Sequence, residues 1–286
     1  MRLSPDKNGK KPIPMTKKKL YLYCTVLLTV FLTSCNGVQQ ILKSGRPEVM
    51  YQQALYYYEK EKWTKAASLF EGASPYYVAK PQEDSIAFMH AYCKFKNREY
   101  DVVTSELDLF RRKHTRSIFL EDAEGMLALS YFYLSPGPTR DQSMTTQALV
   151  AINEFMVHYP TNEKIDEFRK MNQILTERLH DKAFLNAYTY YKIERYKSAI
   201  FSLKNALKEY PESKHREEIM YLIVKSGYEL ASNSVQDKQA DRYLSMLDSY
   251  YSFVAEFPES SYVKELDRLA KHAKDFLDRN NKENTL

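Results

Sequence analysis

Three times in this chain an aromatic residue is followed by proline: Tyr159-Pro160, Tyr210-Pro211 and Phe257-Pro258. Proline cannot donate the backbone hydrogen bond that a helix interior needs, so each pair ends a helix. The stretch Ala187 to Pro211, AYTYYKIERYKSAIFSLKNALKEYP, shows what comes before such an end. Ala187 and Tyr190 sit three apart on one helical face. A short polar turn follows, Lys192 to Arg195. Tyr196, Ala199, Leu203 and Ala206 then recur at helical spacing on a second helix. Small residues where two helices cross, with large ones in the flanking holes, predict an antiparallel helix pair. One such pair cannot bury its apolar face alone, so repeated pairs must stack on one another.

The pattern recurs along the chain and fits a 34-residue tetratricopeptide (TPR) frame. Counted from Pro47 as position 1, Ala54 falls at 8, Tyr57 at 11, Trp63 at 17, Ala66 at 20, Phe70 at 24 and Ala73 at 27. Counted from Asp84, Ala91, Tyr100, Val103, Leu107 and Phe110 hold the corresponding places, although Lys94 stands at position 11. A third unit is split. Glu121 to Leu134 is its first helix, with Ala128 and Tyr131 inward. Ser135-Pro136-Gly137-Pro138 breaks it, and Ala148, Ile152 and Phe155 belong to its second helix. Asn162 to Lys192 reads as one long helix with an apolar stripe through Ile165, Phe168, Leu175, Leu179, Phe184, Ala187 and Tyr190. The fifth unit has helices Arg216 to Ala231 and Lys238 to Glu256. Tyr262 to Leu277 is a last amphipathic helix covering the open end. The predicted fold is all-α, a TPR-like helical-hairpin solenoid of about five repeats with a C-terminal capping helix.

The amino terminus reads differently. Lys17 to Lys19 precede an apolar run from Leu20 to Thr33, short of the ~20 residues that span a bilayer. Basic region, apolar region and small closing residues make a secretory signal. Its end, Leu32-Thr33-Ser34-Cys35, resembles a bacterial lipobox, in which the cysteine takes a diacylglycerol and becomes the first mature residue. The competing readings are an uncleaved anchor and an ordinary signal with a chance cysteine. Several acyl chains, palmitate among them, give a stable anchor where one would be marginal. Asn36 in place of aspartate at the next position points to the outer membrane, and no acidic cluster follows that would signal surface export. The protein is therefore expected to face the periplasm. The expected organisation is signal peptide 1–34, lipidated tether 35–46, repeats one and two 47–117, repeats three to five with the cap 118–280, and a disordered tail 281–286.

Charge and cysteine usage narrow the function. The 42 basic residues exceed the 37 acidic ones, but seven basic residues and one acid precede Cys35, leaving 35 against 36 beyond it. A nucleic-acid partner loses its electrostatic support. Of three cysteines, only Cys93 would remain free in the lipidated protein, so no intrachain disulfide is expected. His90 and Cys93 are i, i+3 on a helix, yet nothing nearby supplies a third metal ligand. They read as a partly exposed histidine and a buried thiol. Acids such as Glu121, Asp122 and Glu124 suit the first turn of a helix. No phosphate loop, HExxH pair, nucleophile elbow or CxxC is present. The expectation is no catalytic residue, no metal and no cofactor beyond a covalent lipid on Cys35.

The remaining signal is aromatic. At groove-lining positions of first helices stand Tyr51 and Tyr58 in repeat one, and Phe88, Tyr92 and Phe95 in repeat two. Repeat four offers Phe184, Tyr188, Tyr191 and Lys192. Such a lining suits capture of an extended peptide bearing aromatic side chains. The same rings would equally serve as packing between repeats.

The lipobox, about five TPR units, the long helix feeding the fourth and the closing Tyr-Pro together resemble the BamD family of outer-membrane assembly lipoproteins. The resemblance is strongest over Leu175, Leu179, Ala187, Tyr190, Tyr196, Ala199, Tyr210-Pro211 and Glu212. It implies a non-enzymatic subunit of the β-barrel assembly machinery. The carboxyl-terminal repeats would hold a BamA-like barrel insertase, alongside other lipoproteins of the complex. The amino-terminal repeats would receive unfolded outer-membrane proteins. The family's glycines in the inter-helix turns are missing at Lys60-Glu61-Lys62, Asn97-Arg98-Glu99 and Ile193-Glu194-Arg195. A TPR lipoprotein scaffolding envelope polysaccharide or cell-wall enzymes is the alternative reading.

Overall fold

The computed structural model describes residues 36–283, with side chains from 37 to 280. The signal segment and Cys35 lie outside the described residues. Among the described residues there are twelve α-helices and no strand. They are α1 (Asn36–Lys43), α2 (Pro47–Glu59), α3 (Trp63–Ala73), α4 (Glu83–Lys96), α5 (Tyr100–Lys113), α6 (Leu120–Leu134), α7 (Ser143–His158), α8 (Ile165–Lys192), α9 (Tyr196–Glu209), α10 (Arg216–Ser232), α11 (Gln236–Glu256) and α12 (Val263–Glu283). The chain forms two compact units, residues 1–99 and 100–286, so α4 and α5 of the second sequence repeat belong to different units. The architecture is all-α and built of TPR-like helical hairpins.

In the first unit α2 and α3 form a hairpin, and α4 packs on α3. Ala54 and Ala66 are fully buried, with Leu69, Phe70 and Ala73 beside them. A short 3₁₀ turn, Ser74–Tyr76, leads to buried Tyr77, whose hydroxyl donates to Glu48 at 2.9 Å. The segment expected as a polar tether is helical instead. Val38 of α1 is buried and Ile41 and Leu42 pack on the same core. Three apolar residues at 38, 41 and 42 form one helical stripe, too short a signal to notice among glutamines.

In the second unit each helix from α5 to α12 packs on the next in sequence. Ala128 and Ala148 are fully buried at the α6–α7 crossing, and Ala187 and Ala199 at the α8–α9 crossing. The 28-residue α8 serves two cores. Its first half places Phe168 and Leu175 with Phe155, and its second half places Phe184 and Ala187 with Leu203 and Ile219. Arg178 donates to the carbonyl (2.9 Å) and hydroxyl (2.7 Å) of Ser135, and Lys182 to the carbonyl of Thr139 at 3.3 Å. The insertion between α6 and α7 is thereby tied to α8. The last helix runs past the expected Leu277 to Glu283, and its Leu266, Ala270 and Ala273 cap the core of α10 and α11. One sequence assignment reverses. Tyr190, expected inward beside Ala187, is 42% exposed, while Tyr188 and Tyr191 pack on the core.

Two turn types recur. Four closing turns begin at His114, Tyr159, Tyr210 and Phe257, whose amides donate to the carbonyl four residues back at 2.8–2.9 Å. Three residues later Ser117, Asn162, Ser213 and Ser260 each accept, through the side-chain oxygen, the amide two positions on. The first of these turns has Thr115 where the others have proline, which is why it escaped the sequence pattern. The second type joins helices within a pair. Glu61, Arg98 and Glu194 are left-handed, with φ of 54°, 64° and 59°. The next amide reaches back five residues, Lys62 to Tyr57 (2.9 Å), Glu99 to Lys94 (3.0 Å) and Arg195 to Tyr190 (2.9 Å). This is a Schellman helix end, whose left-handed position ordinarily falls to glycine. The chain keeps the turn and carries the steric cost, roughly 1 kcal/mol at each site. Replacing Glu61, Arg98 or Glu194 by Gly is expected to raise the unfolding free energy by about 0.5–1 kcal/mol each, read as a higher urea midpoint. A lower midpoint would show that these side chains, not the backbone, govern the turns.

Candidate partner-binding surfaces

The aromatics singled out in the sequence come together in the first unit. Tyr58 contacts Trp63 (5.4 Å between centroids), Phe70 (6.2 Å) and Tyr92 (5.5 Å). Tyr92 also meets Trp63 at 5.6 Å and Phe88 at 6.3 Å. Tyr51 packs on Phe70 and Tyr77. Lys96 stands over the rings of both Trp63 (5.6 Å) and Tyr92 (5.5 Å), a cation–π arrangement. Tyr51, Tyr58, Tyr92 and Phe95 remain half-buried, so each ring keeps some surface, whereas Phe88 is 8% exposed. Cys93 is fully buried and burial pushes its thiol up to about 12. Its helix neighbour His90 is half-buried. Among the described residues no three His, Cys, Asp or Glu side chains are grouped to hold a metal.

The aromatics of repeat four are deeper. Phe184 is buried and stacks on His215 at 4.2 Å, and Lys192 lies over Tyr188. The His215 Nε2–H donates to the Asp181 carboxylate (2.7 Å), which also takes Lys214 at 3.0 Å. Burial opposes the Asp181 charge, but these two partners outweigh it and its pKa is lowered. These residues brace α8 against the start of α10.

A different surface was not legible beforehand. α9, α10 and α11 enclose an open cleft of about 360 Å³. Leu207, Met220 and Ile223 supply its apolar lining, Lys204 and Asp248 face it from opposite helices, and Ser245, Ser249 and Ser252 line the α11 side. Each serine hydroxyl donates to the carbonyl four residues back, at 2.9–3.1 Å, so these side chains fold onto their own helix. Lys204 also belongs to an exposed row on α9: Lys197, Phe201, Lys204 and Lys208. Phe201 is 69% exposed. None of these lysines makes an ion pair among the described residues, although Glu194 stands three residues before Lys197 and Glu212 four after Lys208, in the turns that flank α9. The 4, 3, 4 spacing was the available signal. It passes unnoticed because a solvated lysine face is the ordinary state of a helix.

At the cap, Lys225 of α10 pairs with Glu265 of α12 at 3.0 Å, and the Tyr221 hydroxyl donates to the same carboxylate at 2.9 Å. Tyr221 stacks on Tyr262 at 4.0 Å. Burial disfavours both charges, yet the shared hydrogen bond prevails. Lys225 is raised above its ordinary 10.5 and Glu265 lowered below its ordinary 4.5. The lysine contribution is complete below 10.5 and fades as pH rises through the raised value. The glutamate contribution is complete above 4.5 and fades as pH falls through the lowered one. A double-mutant cycle of Lys225→Met and Glu265→Gln is expected to give about 1 kcal/mol of coupling at neutral pH, shrinking below about pH 4. Urea unfolding across that range measures it, and a coupling independent of pH would assign the contact to packing alone.

A family model described as YfiO, outer membrane lipoprotein, matches residues 43–182 and again 165–283, the two matches overlapping on the first part of α8. The outer membrane protein assembly factor BamD of Rickettsia prowazekii (strain Madrid E) is 24% identical over 224 residues, 78% of this chain and 85% of that protein. BamD of Caulobacter vibrioides (strain ATCC 19089 / CIP 103742 / CB 15) is 20% identical over 212 residues, 73% of this chain and 70% of that protein. Among solved structures, the TPR2AB domain–pHSP90 complex of yeast Sti1 is similar at 13% identity and a TM-score of 0.37, covering 80% of this chain and 98% of that one.

Proposed function

The chain belongs to the YfiO outer membrane lipoprotein family, and we propose that it is an assembly factor for outer-membrane proteins, anchored by a lipid on Cys35 and facing the periplasm. Two relatives named as assembly factors each align over most of their length. Its work is binding. The hairpins α8–α12 hold the barrel-inserting component of the assembly machinery. Unfolded barrel proteins are received by the first unit, where Tyr51, Tyr58, Tyr92 and Phe95 keep ring surface above Phe88.

The observation that carries the docking half of this reading is the cleft between α9 and α11. An apolar floor with Lys204 on one side and Asp248 on the other, beside the exposed lysine row of α9, fits a partner segment with an apolar anchor and an acid placed toward α9. The serine side lets that segment approach α11 closely. The test is affinity purification of the lipidated protein from solubilised outer membranes. A barrel-inserting component, other lipoproteins of the complex and β-barrel clients are expected to co-purify. Ser249→Trp, which fills the cleft, and Lys204→Glu, which reverses its charge, are each expected to lower recovery of the inserting component. The drop should be about tenfold, the equivalent of ~1.4 kcal/mol, with the thermal midpoint unchanged. Recovery of no barrel-assembly component would overturn the function. Undiminished recovery with both variants would place docking elsewhere.

A further inference from the structure

The residue that the lipoprotein reading acylates, Cys35, is followed at once by α1, and α1 is docked. Val38, Ile41 and Leu42 face the core of the first unit. Gly72 of α3 makes room for this, since a Cβ there would overlap the Leu42 side chain and lie 3.6 Å from the Met50 sulfur. The way out of α1 is equally closed. The Ser44 hydroxyl donates to the carbonyl of Ile41 at 2.6 Å, its amide to that of Gln40 at 3.0 Å, and Gly45 is left-handed at φ +63° before Pro47 opens α2. No slack lies between residue 36 and the first hairpin. The opposite stripe of α1 is polar: Gln39, Gln40 and Lys43 are exposed. From residue 36 to 46 the chain carries Lys43 and Arg46 and no acid.

We propose that α1 is a rigid clamp that seats the first hairpin directly on the bilayer surface, its polar and basic stripe against anionic phospholipid headgroups. The proposal rests on acylation of Cys35. Eight helical residues hold the anchor at a fixed distance of about 12 Å from the α1–α2 turn. The basic stripe complements the charge of an anionic leaflet. The lipid supplies attachment and α1 supplies orientation. The partly exposed rings of the first unit are thereby kept beside the membrane.

Trp63 is the only tryptophan of the chain and lies in this unit, so it reports the distance directly. The lipidated protein is reconstituted into phosphatidylethanolamine–phosphatidylglycerol vesicles containing a dansyl headgroup lipid, and energy transfer from Trp63 is measured after flotation. Two variants are compared. Gly72→Leu evicts Leu42 and frees α1. An eight-residue Gly-Ser insertion between Asn36 and Gly37 leaves the dock intact and adds a flexible reach of ~16 Å. Both are expected to lose about half or more of the transfer, given that added reach. If Gly72→Leu loses its helical circular dichroism, the insertion variant alone decides. A native protein that floats but transfers no more than the insertion variant overturns the clamp and leaves the anchor standing. A native protein that fails to float lacks the anchor, which overturns the lipoprotein reading and the clamp with it.

Discussion

The structure depends on alanine. At three hairpins both helices bury an alanine completely at their crossing: Ala54 with Ala66, Ala128 with Ala148, and Ala187 with Ala199. A methyl group is the largest side chain that lets two backbones approach closely enough for the flanking Leu, Phe and Tyr to reach across. A larger residue at any of these points would force the helices apart and strain the rings around them, a cost of roughly 1–3 kcal/mol. Glycine takes the same part between Gly227 and Met246, where a Cβ would lie 3.1 Å from that of methionine. The crossing fixes the hairpin, and the hairpin fixes which face is left for the next helix.

Each hairpin therefore inherits an unfinished surface, and the elements that differ from the repeat are those that finish it. In the first unit α1 covers the α2–α3 hairpin. In the second α12 covers α10 and α11 with Leu266, Ala270 and Ala273. Also in the second unit, α8 is long because it completes two cores in succession, Phe168 and Leu175 in the first, Phe184 and Ala187 in the second. The proline-containing insertion that splits the third repeat is held by Arg178 and Lys182 of the same helix. Stability of this kind is a sum of neighbouring terms. The surfaces the hairpins do not use are then free for partners.

Much of this was legible in the sequence, for a physical reason. Helix crossings demand small residues at fixed spacing and closing turns demand a helix breaker, and both demands show in residue type. Ala54, Ala91, Ala128, Ala187 and Ala199 are buried where the spacing put them, and α8 begins three residues after the expected Asn162. Tyr190 was misread because Tyr188, Tyr190 and Tyr191 are alike, and only the packing of α9 and α10 decides which rings turn inward. The left-handed turns at Glu61, Arg98 and Glu194 were hidden because the usual marker, glycine, is absent. The cleft between α9 and α11 was invisible for another reason. It is made by three helices, and no periodicity within one of them reports the space between the others.

That cleft also shows how a nearly neutral protein can carry a strong local field. Beyond Cys35 the charges all but cancel, 35 basic against 36 acidic. Over most of the second unit they cancel locally, through pairs such as Arg111–Glu154, Arg216–Glu256 and Lys225–Glu265. The lysines of the α9 row form no such pair among the described residues. Lys204 and Lys208 are about 6 Å apart along the helix axis, within a Debye length of ~8 Å in physiological salt, and Lys197 stands about 10 Å before Lys204. Their repulsion weakens the isolated protein slightly and is relieved by an acidic segment laid along them. Phe201 stands among them with most of its ring in water, a second cost relieved by the same event. Two unfavourable features on one helix face, beside a cleft with an apolar floor, fit binding better than folding, because neither contributes to the hairpin that bears them.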